Sequence, residues 1–309
     1  MLALKSYAKL NLYLAVRNKR KDNYHNIETI FEKISLADKI ILTQRKDNLI
    51  KISCRDSRVP KDSSNLAFRS AKLLQENLHL NKGVNIKILK RIPIGSGLGG
   101  GSSNAAAVIT GLNKLWKLEL SQKKLACLGA KVGSDVPFFV YNYPFALGRN
   151  RGDRITPLKG LNEIRLWHIL IVPKISVSTP LIYKNWDKLK SSKLSLSDKQ
   201  GNRNKNSCPI RLTRPKYGAN IIYLALRKND FLLLNRAIFN SLEPVTTLLY
   251  PEVLRIKEKL FQLGLQSILM SGSGPAVFGV VSSRKEAVGL YRQLRKESRF
   301  WQVFLARTV

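Results

Sequence analysis

Pro93-Ile94-Gly95-Ser96-Gly97-Leu98-Gly99-Gly100-Gly101-Ser102-Ser103-Asn104 is the stretch on which the reading of this chain turns. Glycine admits positive φ and lets a ligand approach the backbone closely, so successive N–H groups can converge on an anion. The run follows a strand-like segment, Val84 to Leu89, and leads into a helix-like one, Ala105 to Leu118. The unpaired amides and positive dipole end of a helix N-terminus then face the same guest, for which a phosphate is the natural choice. Ser102 and Ser103 add hydroxyls that can cap the helix, bond a phosphate oxygen or reach Mg2+. Three other readings fit less well. A Walker A loop needs Gly-Lys-Ser/Thr, whereas Gly101 is followed by Ser102. Gly95, Gly97 and Gly100 satisfy the dinucleotide spacing, with Glu119 near the distance of the ribose contact, but Glu119 follows a helical stretch instead of ending a second parallel strand. A flexible linker would not have patterned elements directly on both sides.

Outward from the loop, Ile40 to Leu42, Ile50 to Ser53 and Trp167 to Val172 read as strands. Leu66 to Leu78 reads as a helix capped by Asn65, and Gln122 to Val132 as one opened by Ser121. Ile221 to Leu226, Phe231 to Phe239 and Val253 to Leu263 make the second half more helical. Between them Asp187 to Gly218 is rich in Lys, Ser and Asn without periodicity and reads as an insert. The class is α+β in two parts, 1–160 and 161–309. With 44% apolar residues in 309, a sizeable core is expected. No run approaches the roughly 20 apolar residues of a membrane span, and patterned sequence starts at Met1, so a cytoplasmic protein is expected. Cys54, Cys127 and Cys208 lie far apart, outside any metal or redox spacing, and read as reduced thiols. The net charge of +34, from 54 Lys and Arg against 20 Asp and Glu, is spread along the chain with no aromatic-interleaved basic motif. It reads as a solvated surface that attracts anionic substrates, with a nucleic-acid partner unlike it in pattern.

Other segments carry the same signal as the loop. Tyr7-Ala8-Lys9-Leu10-Asn11-Leu12, Tyr24-His25, Gly133-Ser134-Asp135-Val136-Pro137-Phe138-Phe139 and Met270-Ser271-Gly272-Ser273-Gly274-Pro275 stand, together with Pro93 to Ala105, in the order and spacing of the GHMP kinases. The chain resembles that family over essentially its whole length outside the insert. The triple glycine and the Ser-Ser-Asn-Ala ending resemble in particular its members that act on cytidine diphosphate methylerythritol in non-mevalonate isoprenoid synthesis.

The resemblance implies a ribosomal-protein-S5-like N-terminal domain and an α+β C-terminal domain, with ATP and Mg2+ used to phosphorylate the 2-hydroxyl of that small-molecule substrate. It implies an ATP loop made of Pro93, Ile94, Gly95, Ser96, Gly97, Leu98, Gly99, Gly100, Gly101, Ser102 and Ser103, with Lys90 near the adenosine. Phosphoryl transfer to an alcohol needs an in-line hydroxyl, compensation of phosphate charge and an acceptor for the hydroxyl proton. Asp135 matches the family's catalytic aspartate, although turn-capping beside Gly133 and Pro137 is the competing role. Lys9, among apolar neighbours, needs an anionic partner, and Asp135 can supply it. Asn11, Tyr24, His25 and Tyr183 match the residues that hold the cytosine, and Ser271, Gly272, Ser273 and Gly274 a second loop near the substrate phosphates. Either Ser102 or Ser103 can meet Mg2+, with no protein-only metal cage. Rival readings are a homoserine- or mevalonate-class substrate, or a basic nucleic-acid-binding protein on a related fold.

Four positions depart from the family pattern. Asn23 and Asn150 stand in glycine places, where asparagine best tolerates left-handed backbone, and Asp153 replaces glutamate. Ser241 stands where aspartate is common.

Overall fold

The computed structural model describes residues 1–191, 215–297 and 300–309. The long run of strand-forming residues at the N-terminus folds as β1 (Leu2–Lys19), which turns through Arg20 to Tyr24 and returns antiparallel as β2 (His25–Arg45). Asn23 adopts φ 64° in this turn, the left-handed conformation expected of a glycine place. Leu10 to Val16 are buried on both faces of β1, because the sheet is covered on both sides there. β3 (Ile50–Cys54) leads to α1 (Leu66–Asn77), whose N-cap Asn65 accepts a hydrogen bond from the Ala67 amide at 2.9 Å. β4 (Gly83–Leu89) pairs parallel with β3 and antiparallel with β2, and feeds the glycine run.

α2 (Gly100–Leu115) begins five residues earlier than the Ala105 expected from helical spacing, inside the glycine run itself. α3 (Gln122–Val132) is capped by Ser121 as expected, and α4 (Val136–Tyr141) follows directly. β5 (Phe145–Arg149) pairs with the start of β2, and β6 (Arg154–Pro157) pairs with β5. The turn between them carries Asn150 at φ 64° and Gly152 at φ 94°.

β7 (Trp167–Pro173) opens a second sheet. α5 (Thr179–Ser191) follows, and it includes Asp187, which composition had assigned to the insert. Residues 192–214 of the expected 187–218 insert, Cys208 among them, lie outside the described residues. After them come α6 (Ala219–Lys228), α7 (Phe231–Ala237), the two-residue β8 (Phe239–Asn240), α8 (Glu243–Leu249) and α9 (Pro251–Gln262). The expected helix over Phe231 to Phe239 therefore ends at Ala237, and its last residue begins β8. β9 (Ile268–Met270), β10 (Val277–Val281), α10 (Arg284–Glu297) and β11 (Trp301–Arg307) complete the chain.

Two sheets result. The first has the order β3-β4-β2-β1-β8, with β5 and β6 attached along β2, and the second the order β11-β7-β10-β9. β8, from late in the chain, lies parallel to β1 and pairs Tyr13 with Phe239. Helices α1 to α4 cover one face of the first sheet through Ile40, Ile86, Val108, Leu112 and Phe138. Its other face packs through Leu10, Leu12 and Ile30 on Leu170, Val172 and Phe278 of the second sheet. Burial of such side chains contributes about 1.5–3 kcal/mol each, and this is what fixes the two sheets against one another. No helix among the described residues is long and apolar enough to cross a membrane. Cys54 and Cys127 are free thiols.

Candidate active site

The glycine run is held by backbone geometry. Gly95, Gly97 and Gly99 have φ of 64°, 78° and 71°, and Gly99 is the N-cap of α2 with no side chain to occupy its first turn. The amides of Gly100, Gly101 and Ser102 thus have no intrahelical acceptor. Of the two serines, Ser103 is buried and receives the Ser6 hydroxyl at 2.7 Å, whereas Ser102 is half-buried at the loop surface. Lys90 forms an ion pair with the buried Asp38, whose other oxygen accepts the Arg91 and Ile92 amides at 2.7 and 2.9 Å. A Cβ on Gly100 would lie 3.2 Å from Lys90 Nζ, so that ammonium stands at the mouth of α2.

The second loop locks onto the first. Ser271 Oγ donates to Gly97 O at 3.2 Å, the Ala276 amide donates to Ser96 O at 3.1 Å, and a Cβ on Gly97 would sit 2.2 Å from Ser271 O. Gly272 and Gly274 take φ of 59° and 84°. Asn240 of β8 donates to Met270 O and Gly272 O, both at 2.8 Å. Glu243, ion-paired with the buried Lys257, accepts the Met270 amide at 2.7 Å. Ser241, the departure from the family pattern, ties β8 to β1 by accepting the Val16 amide at 3.0 Å.

Between the two loops and α5 opens a cavity of about 760 Å³. Lys9 and Asp135 meet in it with Nζ and Oδ2 3.7 Å apart, farther than a direct hydrogen bond. Burial pushes the Lys9 ammonium below its ordinary pKa, and the Asp135 charge opposes that push. Lys9 Nζ also donates to Asn11 Oδ1 at 2.5 Å, while Asn11 Nδ2 donates to Thr29 Oγ1 at 2.8 Å. The amide of Asn11 is therefore engaged with Lys9 and Thr29, which places it beside the Lys9–Asp135 pair. Asp135 occupies the N-cap position of α4 without making a side-chain capping bond, so the turn-capping role expected as its rival is not the one it plays.

The far end of the cavity is aromatic. His25 is buried and stacks on Tyr183 with ring centroids 5.0 Å apart, and Trp186 meets it edge-on at 5.6 Å. Burial, with help from the Asp135 charge, raises the Tyr183 phenol well above its ordinary pKa. Tyr24 is exposed and carries the Arg151 guanidinium 5.2 Å above its ring. Of the residues expected from sequence, Lys9, Asn11, Tyr24, His25, Gly97, Gly99, Asp135, Tyr183, Gly272 and Ser273 line this cavity. Lys90, Pro93, Ile94, Gly95, Ser96, Leu98, Gly100, Gly101, Ser102, Ser103, Ser271 and Gly274 do not. Sequence reasoning missed Asp38, Thr29, Arg151, Asn240 and Asp187. For Asp187 a signal existed, since it lies four residues after Tyr183 and so on the same helix face.

A glycine-rich helix N-terminus beside buried Lys9 and its partner Asp135 is the pattern of one class of phosphotransferase, and comparison with known proteins gives that class a name. The model of the GHMP kinases N terminal domain matches residues 65–143, and that of the GHMP kinases C terminal domain residues 222–299. A protein of Shouchella clausii named 4-diphosphocytidyl-2-C-methyl-D-erythritol kinase is 41% identical over 95% of this chain and 90% of its own length. One of the same name from Alkaliphilus metalliredigens is 39% identical over 94% of this chain and 91% of its own. A crystal structure of a 4-(cytidine 5'-diphospho)-2C-methyl-D-erythritol kinase superposes with a TM-score of 0.76 at 30% identity, covering 99% of this chain and 98% of that one. Homoserine kinase of Cytophaga hutchinsonii, at 19% identity and a TM-score of 0.68 over 99% of this chain and 94% of its own, shares the fold. The chain belongs to the GHMP kinases, in the 4-diphosphocytidyl-2-C-methyl-D-erythritol kinase family.

Proposed function

We propose that this kinase transfers the γ-phosphate of ATP to the 2-hydroxyl of 4-(cytidine 5'-diphospho)-2C-methyl-D-erythritol. The observation that carries the proposal is a single cavity lined both by the Lys9–Asp135 pair and by an aromatic group in which His25 stacks on Tyr183. A substrate hydroxyl can lie to the side of the Lys9–Asp135 pair within hydrogen-bond reach of both, where Asp135 accepts its proton as the oxygen attacks phosphorus and ADP leaves. Lys9, oriented by Asn11 and Thr29, offsets the charge that develops on the transferring phosphoryl group. The glycine run and the first turn of α2 hold the triphosphate, with Lys90 alongside, and the Ser271–Gly274 loop closes the substrate phosphates in from the opposite side.

Among the described residues no cluster of acidic, His and Cys side chains could cage a metal. Mg2+ bound mainly through phosphate oxygens suits such a site, and Ser102 offers the one loop hydroxyl of the pair not already bonded to Ser6; the ion supplies neutralisation of phosphate charge. In this proposal the part before about residue 160 holds ATP and the later part completes the substrate site, in the cytoplasm. Coupled detection of ADP with the cytidylated alcohol, homoserine and mevalonate tests it. Turnover is expected with the first alone, and turnover with either of the others in its place would overturn the assignment.

A further inference from the structure

Asp187 has no task in the chemistry above, yet it lines the cavity. One of its carboxylate oxygens stands 2.7 Å from His25 Nε2, and the other 3.3 Å from Lys19 Nζ. Burial alone would raise this carboxyl, but hydrogen bonds from His25 and Lys19 outweigh it and hold Asp187 below the usual carboxylate range. An ionised carboxylate only accepts hydrogen bonds, so Nε2 must carry a proton. In a neutral imidazole the other nitrogen, Nδ1, is then an acceptor. No hydrogen bond to Nδ1 occurs among the described residues, and His25 lines the cavity. Turning the ring over within its stack on Tyr183 would put Cε1 in place of Nε2 against Asp187, so the bond to Asp187 fixes which edge of the ring carries Nδ1.

We infer that Asp187 is a positioning residue that sets the choice of pyrimidine: by keeping the proton on His25 Nε2 it leaves Nδ1 to accept the exocyclic amine of cytosine and to repel the O4 carbonyl of uracil. The assignment rests on the proposed cytidine reading of the cavity. Cytosine and uracil have the same shape, and they differ at this edge in donor against acceptor. A site built to bond one of them leaves two lone pairs opposed when the other enters, and such mismatched polar sites discriminate by large factors. Lys19 completes the arrangement by supplying the second oxygen of Asp187 with a donor, so that the carboxylate remains charged without a second claim on His25.

The test compares kcat/KM for the cytidine diphosphate alcohol with that for its uridine diphosphate counterpart, in the full chain. The wild type is expected to favour cytidine by on the order of a hundredfold or more. In Asp187→Asn the amide can donate to Nε2 and move the proton to Nδ1, which turns the acceptor into a donor. The cytidine-to-uridine ratio is then expected to fall by roughly ten- to a hundredfold, through KM for the alcohol and not KM for ATP. A folded Asp187→Asn protein with an unchanged ratio overturns the inference. If that variant does not fold, nitrogen NMR of the wild type decides, since the chain has 3 histidines and the His25 ring is assignable by substituting the others. A neutral ring protonated at Nε2 is expected, and a ring protonated at Nδ1 overturns it. Wild-type protein that turns over neither alcohol would instead sink the cytidine reading itself.

Discussion

Replacing Asp135 by Asn keeps the shape of the side chain and removes both its charge and its capacity to take a proton. Lys9 Nζ lies 3.7 Å from Asp135 Oδ2. At an effective dielectric near 20 the attraction across that distance is roughly 4–5 kcal/mol. Asp135→Asn therefore has two effects on the chemical step. A positioned base is lost, which by itself costs about 10²–10⁴ in rate. The Lys9 ammonium, already depressed by burial, also loses the charge that opposed the depression, so less of it remains protonated to balance the transferring phosphoryl group. The fold should be spared, because Asp135 makes no capping bond to α4 and its side chain is 27% exposed. ATP binding should be spared too, since the cradle consists of amides in the run 95–102. The assay is single-turnover phosphoryl transfer with saturating ATP, beside ATP binding by calorimetry and a thermal melt. A loss of at least about a hundredfold in kcat is expected, with binding and melting unchanged. Turnover near the wild-type rate would remove Asp135 from the chemistry, and a collapsed melt would make it a structural residue.

His25→Ala is expected to raise KM for the cytidylated alcohol by roughly ten- to a hundredfold while ATP binding is kept; equal losses for both would refute its place at the base end. In Gly97→Ala the new Cβ would lie 2.2 Å from Ser271 O at φ 78°, so the two loops must part and both turnover and melting temperature should fall. Gly264→Ala is the control, since at φ 89° it meets nothing within 4 Å and should lose only about 1–2 kcal/mol of stability with kinetics intact. Lys33 is pushed down to about 8, first by burial and second by the nearby Arg165 charge. Its folded pKa lies below its unfolded one, so between about 8 and the ordinary 10.5 the unfolded chain holds the extra proton and stability rises with pH. Urea unfolding across that window should show the wild type gaining on Lys33→Met, and parallel curves would contradict the shift.

The glycine run and the caps of α1 and α3 were legible because each depends on residues within one turn: Asn65 and Ser121 cap as read. The start of α2 was not, since Gly100 and Gly101 are poor helix formers and their neighbours, Ile92 and Lys90 for the first and Leu66 for the second, come from outside the helix. The length of β1 was hidden for a different reason. Leu10 to Val16 are buried on both faces, so the alternation that marks a half-covered strand is missing. β8 is two residues long and exists through its pairing with Tyr13 and Leu14, which no local pattern announces. Within the site, Lys9, His25 and Asp135 were legible from motif order. Asp38 and Asn240 act on backbone groups of segments far away in sequence, and Asp187 was concealed by the Lys- and Ser-rich composition beside it.

Because β8 lies alongside β1 and Asn240 grips the loop that Gly97 fits into, the first residues of the chain wait for nearly the last before the site can form. On the ribosome, a nascent chain carrying the whole glycine run still lacks the strand and loop that brace it.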